Sequence, residues 1–139
     1  MPVPDPLHAV LYRSIASQTF APGELLSLVE HAQARNASLG ITGILLHGSM
    51  RALPHVPGAF VQWIEGPEGV VHELYRTVAA DRRHHEVEVL ADASLASLGI
   101  NERLFGRWAM GLKSMSELPA SLGGFLSVYR GGSLDGVAA

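Results

Sequence analysis

An amide side chain lies in the middle of an otherwise apolar run at residues 60–66 (FVQWIEG). If this run forms a β-strand, side chains alternate between its faces, and Gln62 shares a face with Phe60 and Ile64. A buried amide without hydrogen-bond partners costs about 1–3 kcal/mol of stability. Gln62 therefore either bonds to neighbouring backbone or belongs to a polar site between this strand and another element.

Four further residues could form such a site with Gln62, although two of them also have a purely structural interpretation. Tyr12 on its own is a core aromatic whose hydroxyl reaches the backbone, and Asn36 is a capping residue near a helix end. Trp108 and Met110 share a face of the predicted last strand. Together with two apolar helix stripes, these residues describe a slot with convergent polar groups, which is typical of a small-molecule site and suits an aromatic ring system.

Signatures of common catalytic and metal sites are absent from the sequence. It contains no GxSxG, P-loop or HExxH motif and no GxGxxG after a strand. Of the seven histidines, His84 and His85 are adjacent in a predicted turn and the others are scattered. We interpret them as solvated surface groups and expect no metal site. Arg82 and Arg83 form a solvated turn or, alternatively, neutralise a ligand phosphate.

Composition predicts one soluble domain. The chain has 139 residues, of which 47% are hydrophobic and 17% charged, with a net charge of −3. This charge favours neither nucleic acid nor an anionic membrane as a partner. The absence of cysteine excludes disulfides and a thiolate nucleophile. Without a signal peptide or an apolar stretch of about 18–20 residues, we expect a cytoplasmic protein that does not bind membranes.

Seven predicted elements must position the candidate site. Periodicity indicates strands at residues 8–15, 41–47, 60–66, 86–91 and 104–112 and helices at residues 22–35 and 67–80. The order βαββαββ implies an α+β fold with two helices on one face of a mixed five-stranded sheet. Both helices carry an apolar stripe at i, i+3, i+4 and i+7: Leu25, Leu28, Val29 and Ala32 in the first, Val71, Leu74, Tyr75 and Val78 in the second.

The sheet face away from the helices would carry Leu11, Val61 and Trp63, which is too much apolar area to leave in water. We expect either the tail, residues 113–139, or another subunit to cover it. Residues 48–58 contain two prolines and are interpreted as an extended hairpin loop.

Several separated motifs, in this order, resemble the BLUF domain, the blue-light sensor that uses FAD. They are LYRS at residues 11–14, RNASLGITG at 35–43, FVQWIEGP at 60–67, DRRHH at 81–85 and FGRWAM at 105–110. The resemblance implies the ferredoxin-like βαββαββ fold for residues 8–112, with residues 1–7 as a lead and residues 113–139 as a C-terminal extension. It also implies a flavin held between the two helices.

The resemblance also implies a role for each matching residue. Tyr12 matches the tyrosine that donates an electron and a proton to the excited flavin, and Gln62 matches the glutamine that bridges tyrosine and flavin. Asn36 matches the asparagine that holds the pyrimidine side of the ring. Trp108 and Met110 match the last-strand residues that compete for a place near the glutamine and pass the change outward.

The predicted photoactive residues are Tyr12, Gln62, Trp108 and Met110. The predicted flavin contacts come from the motifs, the helix stripes and nearby cations: Tyr12, Leu28, Val29, Arg35, Asn36, Gln62, Val71, Arg76, Val78, Arg82 and His84. The resemblance implies FAD as the cofactor and a sensor without catalytic residues. Output is expected through self-association or a separate effector protein.

Two other functions remain open at this point. A light-insensitive interaction module could have kept the fold, with the loop at residues 48–58 and the open sheet face binding a partner. A small enzyme of the acyl-phosphate hydrolase type would need an arginine in the anion-cradling loop. The first strand-to-helix connection, residues 15–22, contains none, so we rank the enzyme last.

Overall fold

The computed structural model describes residues 6–49, 55–106 and 109–129. Its elements in chain order are β1 (Leu7–Ala16), α1 (Pro22–Leu39), β2 (Thr42–Gly48), β3 (Ala59–Pro67), α2 (Glu68–Ala79), β4 (His84–Ser94), a 3₁₀ turn (Ala96–Leu98), β5 (Gly111–Met115) and α3 (Leu122–Tyr129). Among these described helices, none combines the length and apolar character that a membrane crossing requires. Part of the predicted 48–58 loop falls outside the described residues.

The five strands form one mixed sheet in the order β4-β1-β3-β2-β5. Strand β1 pairs antiparallel with β3 and β4, β2 pairs antiparallel with β3, and β5 lies parallel to β2. The predicted α+β, ferredoxin-like arrangement is confirmed. Central strands β1 and β3 are almost entirely buried, as expected for strands covered on both faces.

Helices α1 and α2 cover one face of the sheet. Leu25 and Val29 of α1 and Val71 and Leu74 of α2 pack with β-strand residues, including Ile64, in a single buried cluster. The predicted stripes therefore face the sheet. Burial of each such side chain stabilises the folded protein by about 1.5–3 kcal/mol. This packing holds the two helices against the sheet face that carries Gln62.

The C-terminal helix α3 covers the opposite face. Phe125 stacks on Trp63 with ring centroids 5.3 Å apart and planes inclined by 12°, and Tyr129 joins the same cluster as Leu11 and Val61. The first alternative, a tail that folds back over this face, is confirmed. Trp63, adjacent to Gln62 in the chain, thus faces α3 while Gln62 faces α1 and α2.

The bounds of the predicted elements shift mostly by one to three residues, and the two larger differences have a physical reason. Helix α1 continues past Arg35 to Leu39 and ends at Gly40, whose φ of 71° is left-handed and favours glycine. Asn36 is not an exposed cap residue, because its side chain is buried. The last strand was predicted at residues 104–112 but spans Gly111–Met115, since residues 104–106 form a turn instead.

Candidate functional site

The centre of the candidate site is a buried chain of three side chains, two on the adjacent strands β1 and β3 and one just before β5. Tyr12 of β1 lies directly opposite Gln62 of β3 in the antiparallel register, and its hydroxyl donates a hydrogen bond to Gln62 Oε1. Gln62 Nε2 in turn donates to Met110 Sδ at 3.5 Å. The polar partner that Gln62 requires is therefore Tyr12. The amide nitrogen of Gln62 has only the Met110 sulfur, a weak acceptor, as its hydrogen-bond partner in this chain of side chains.

Burial keeps the Tyr12 hydroxyl protonated. Desolvation, reinforced by the neighbouring Tyr75, raises the pKa of Tyr12 well above its usual range, and the Arg35 cation opposes this only in part. The ring also contacts His84 edge-on, with centroids 5.8 Å apart. Tyr12 is therefore a neutral phenol, a hydrogen-bond donor to Gln62, throughout the physiological pH range.

A cleft opens beside this chain, between α1, α2 and the sheet. Its lining residues are Tyr12, Leu28, His31, Ala32, Arg35, Leu45, Phe60, Gln62, Val78, Asp81, Arg83, His84 and Met110. The space between them, counted together with open solvent at the mouth, amounts to about 570 Å³. Aliphatic and aromatic walls with a few charged groups suit a flat ring that carries a polar substituent.

Six of the eleven predicted flavin contacts line this cleft: Tyr12, Leu28, Arg35, Gln62, Val78 and His84. Val29 and Val71 lie in the packed cluster between helices and sheet instead, where both are buried. Arg76, Arg82 and Asn36 also lie outside the cleft lining. Trp108 falls outside the described residues, so its predicted role stays a prediction.

The turn before β4 places Arg83 at the cleft, rather than the predicted Arg82. Arg83 Nε donates to both oxygens of Asp81 at 3.0 Å, and these hydrogen bonds hold the pKa of Asp81 below its usual range. Arg35 stands on α1 across the cleft, where burial lowers the pKa of its guanidinium. Sequence reasoning could not choose between adjacent arginines, since the direction of each in a turn depends on tertiary contacts.

His84 is fixed at the floor of the cleft by two hydrogen bonds. Its Nε2 donates to the backbone carbonyl of Val78 at 2.7 Å, because a carbonyl can only accept. Its Nδ1 contacts the Ser14 hydroxyl at 2.6 Å. The histidine therefore joins β1, α2 and β4 and presents its ring to Tyr12.

Two amide side chains of α1 hold the segment that carries Met110. Asn36 Nδ2 donates to the carbonyl of Ala109 at 2.9 Å, and Gln33 Nε2 donates to the carbonyl of Met110 at 2.9 Å. The Asn36 amide oxygen accepts from Arg35 Nε at 3.2 Å. Sequence reasoning missed Gln33, although two amides at i and i+3 on one helix signal a shared polar contact.

Glu65 is a second buried polar group that sequence reasoning left without a role. Its carboxylate accepts hydrogen bonds from Trp63 Nε1 at 2.9 Å, from Thr42 Oγ1 at 2.7 Å and from the backbone N–H groups of Leu104 and Phe105 at 2.8 Å. The sequence signal for this role was a glutamate at the end of an apolar strand. The hydrogen bonds from Leu104 and Phe105 to Glu65 explain why residues 104–106 form a turn rather than a strand.

Comparison with known proteins identifies the family of this arrangement. The sequence pattern described as "BLUF: Sensors of blue-light using FAD" matches residues 7–111. Photoactivated adenylate cyclase subunit alpha of Euglena gracilis is 37% identical over 100 residues, which cover 72% of this chain but only 8% of the relative. The chain thus spans less than a tenth of the length of that relative.

Solved structures show the same fold. The dark-state structure of the BLUF protein BlrB aligns with a TM-score of 0.65 and 32% identity, covering 96% of this chain and 89% of that one. BlrP1 of Klebsiella pneumoniae, solved with FMN and cyclic diGMP, aligns with a TM-score of 0.61 and 29% identity, covering 79% and 26% of the two chains. Sequence and fold agree that this chain belongs to the BLUF family, the flavin-binding sensors of blue light.

Proposed function

We propose that the cleft between α1 and α2 holds FAD and that blue light rearranges the hydrogen bonds of Gln62. The observation that carries this proposal is the buried Tyr12–Gln62–Met110 chain along one wall of the cleft. The walls suit a flat ring, and Arg35 and Arg83 suit a phosphate or ring oxygen. The bound flavin would supply blue-light absorption and a site that accepts an electron.

The residue types suit a switch without turnover. The Tyr12 phenol is oxidisable, and its proton can move along the hydrogen bond to Gln62 Oε1. The Gln62 amide has a donor end and an acceptor end, so rotation or tautomerisation exchanges them without adding charge. Because Nε2 loses only a weak bond to the Met110 sulfur, the amide can leave its present orientation at little cost.

The experiment is an absorption spectrum of purified holoprotein before and after blue illumination. We expect a reversible small red shift in the wild type and its loss in Tyr12→Phe, which keeps the ring and the packing but removes the hydroxyl. Tyr75→Phe, with ring centroid 5.9 Å from Tyr12, is the matched control and should shift normally. A normal shift in Tyr12→Phe contradicts the mechanism. Colourless protein after incubation with FAD would instead favour the light-insensitive interaction module.

The choice of FAD over FMN belongs to the same proposal. The family description names FAD, whereas the BlrP1 structure contains FMN. Both carry the same ring, and the second phosphate of FAD would add a partner for the cations Arg35 and Arg83 at the cleft. Mass spectrometry of the flavin released on denaturation distinguishes the two, and purification with FMN alone would overturn the FAD assignment.

We further propose that output passes from Gln62 through Met110 and β5 to α3, and from there to a second copy or a separate cytoplasmic effector. Met110 immediately precedes β5, and α3 packs under Trp63, next to Gln62 in the chain. Hydrogen exchange at residues 109–129 should differ between dark and light. Identical protection in both states would count against this route.

A further inference from the structure

A cluster of two histidines and one carboxylate lies outside the cleft, where three elements meet. His8 belongs to β1, His72 to α2 and Asp92 to β4. One potential metal-ligand atom from each lies within 4.8 Å of the other two. We propose that these side chains bind a divalent transition-metal ion, for which Zn²⁺ is the appropriate probe.

Both imidazoles converge on one oxygen. His8 Nε2 lies 2.5 Å and His72 Nε2 lies 2.8 Å from Asp92 Oδ1, and the rings meet edge to face with centroids 4.8 Å apart. Two imidazole nitrogens and a carboxylate oxygen form a donor set that zinc accepts, with one position left open. Neighbouring zinc ligands lie about 3.4 Å apart in tetrahedral geometry, so side-chain shifts of about 1 Å would admit the ion.

Burial separates a rigid part of the cluster from an accessible part. The side chain of His8 is only 10% exposed, whereas those of His72 and Asp92 are 32% and 47% exposed. The sheet therefore fixes the first ligand, and the other two leave an entry path for an ion. An exposed ion pair alone contributes little stability, whereas a metal bonded to all three groups would join α2 directly to β1 and β4.

The cluster is separate from the proposed flavin site. None of the three side chains lines the cleft, but α2 forms one of its walls through Val78. In the sequence these histidines look like scattered surface groups, because His8 and His72 lie 64 positions apart. The pairing of β1 with β4, in which His8 lies opposite Ser94, brings His8 close to Asp92. The packing of α2 on the sheet brings His72 to the same place.

The test is calorimetric titration of tag-free, chelator-treated holoprotein with ZnCl₂. We expect one Zn²⁺ per wild-type chain and at least tenfold weaker binding in His72→Ala and in Asp92→Asn. His55→Ala removes an exposed histidine outside the cluster and should bind as the wild type does. Circular dichroism of each variant confirms that the fold is retained.

A second measurement needs no variant. Zn²⁺ should protect His72 of the wild type, whose side chain is exposed enough to react, from modification by diethyl pyrocarbonate, with His55 modified equally in both conditions, as read by peptide mass spectrometry. The proposal is overturned if the wild type binds no Zn²⁺ at micromolar concentrations. Equal affinity in His72→Ala, or no protection of His72, would also overturn it.

Discussion

At the residue scale, two buried groups determine what the site can do. Tyr12 is 2% exposed and Gln62 is 4% exposed, so each must find its hydrogen-bond partner inside the protein. Tyr12 and Gln62 bond to each other because β1 and β3 pair in a register that places these two residues directly opposite. The same burial makes ionisation of Tyr12 costly, which has a measurable consequence at alkaline pH.

We expect the free energy of unfolding to fall as the pH rises above about 10, and Tyr12→Phe to weaken this fall. An unfolded tyrosine ionises near pH 10, whereas burial raises the pKa of folded Tyr12 far above that value. The stabilising contribution of protonated Tyr12 to the folded state is therefore fully present below pH 10 and is lost above it. The free energy of unfolding then falls with a limiting slope of about 1.4 kcal/mol per pH unit for one proton. Urea unfolding between pH 9 and 11 measures the slope.

Tyr75→Phe is the matched control for the alkaline experiment. Burial and the Asp92 charge also raise the pKa of Tyr75, but its side chain is only partly buried. Its removal should change the slope less than Tyr12→Phe does. An alkaline slope in Tyr12→Phe equal to that of the wild type would refute the protonation argument.

Glu65 carries a second prediction at the residue scale. Its fully buried carboxylate accepts four hydrogen bonds, and Glu65→Gln would turn an amide N–H group toward donors that need an acceptor. We expect a loss of about 2–4 kcal/mol in the free energy of unfolding. Glu88→Gln is the control, because Glu88 is 57% exposed in its pair with Arg13 and should change stability by less than about 1 kcal/mol. Equal effects of the two substitutions would contradict this account of Glu65.

At the scale of elements, α1 acts as both a wall and an anchor. Leu28, Ala32 and Arg35 line the cleft, while Gln33 and Asn36 donate to backbone carbonyls of the segment before β5. Since β5 is a short strand at the edge of the described sheet, next to β2, these two bonds help to hold Met110 beside Gln62. The helix therefore couples the position of the cleft wall to the position of the last strand.

We expect Gln33→Ala to loosen β5 without unfolding the protein. Loss of the bond to the Met110 carbonyl should cost about 1 kcal/mol and speed hydrogen exchange of residues 111–115 by about fivefold. Glu30→Ala alters an exposed position on the same helix and should leave this exchange unchanged. Unaltered exchange in Gln33→Ala would show that the anchor lies elsewhere.

At the scale of the whole molecule, the sheet is covered on both faces, by α1 and α2 on one and by α3 on the other. Gln62 and Trp63 are neighbours in β3 that face these two layers. A change beside Gln62 therefore lies one residue away from the surface on which α3 rests. This arrangement is the structural basis of the signal route through α3 that we propose.

We expect Phe125→Ala to cost about 3–5 kcal/mol of stability and to promote self-association. Phe125 is fully buried against Trp63, so its loss leaves a cavity and loosens the cover of an apolar face. Val128→Ala, at a position 37% exposed on the same helix, should cost less than about 1 kcal/mol. Chemical denaturation and light scattering measure both effects. Equal stability of the two variants would show that α3 does not protect this face.

The sequence alone predicted the order of the five strands and the two covering helices and the faces of these elements, and it indicated candidate residues for the proposed switch. These follow from local periodicity and from motifs that lie within single elements, such as Gln62 between Phe60 and Ile64. Tertiary structure decided which further polar groups meet: Asn36 with Ala109, Gln33 with Met110, and His8 with Asp92. Such contacts depend on strand register and on how each helix sits on the sheet, and neither is encoded within a single element.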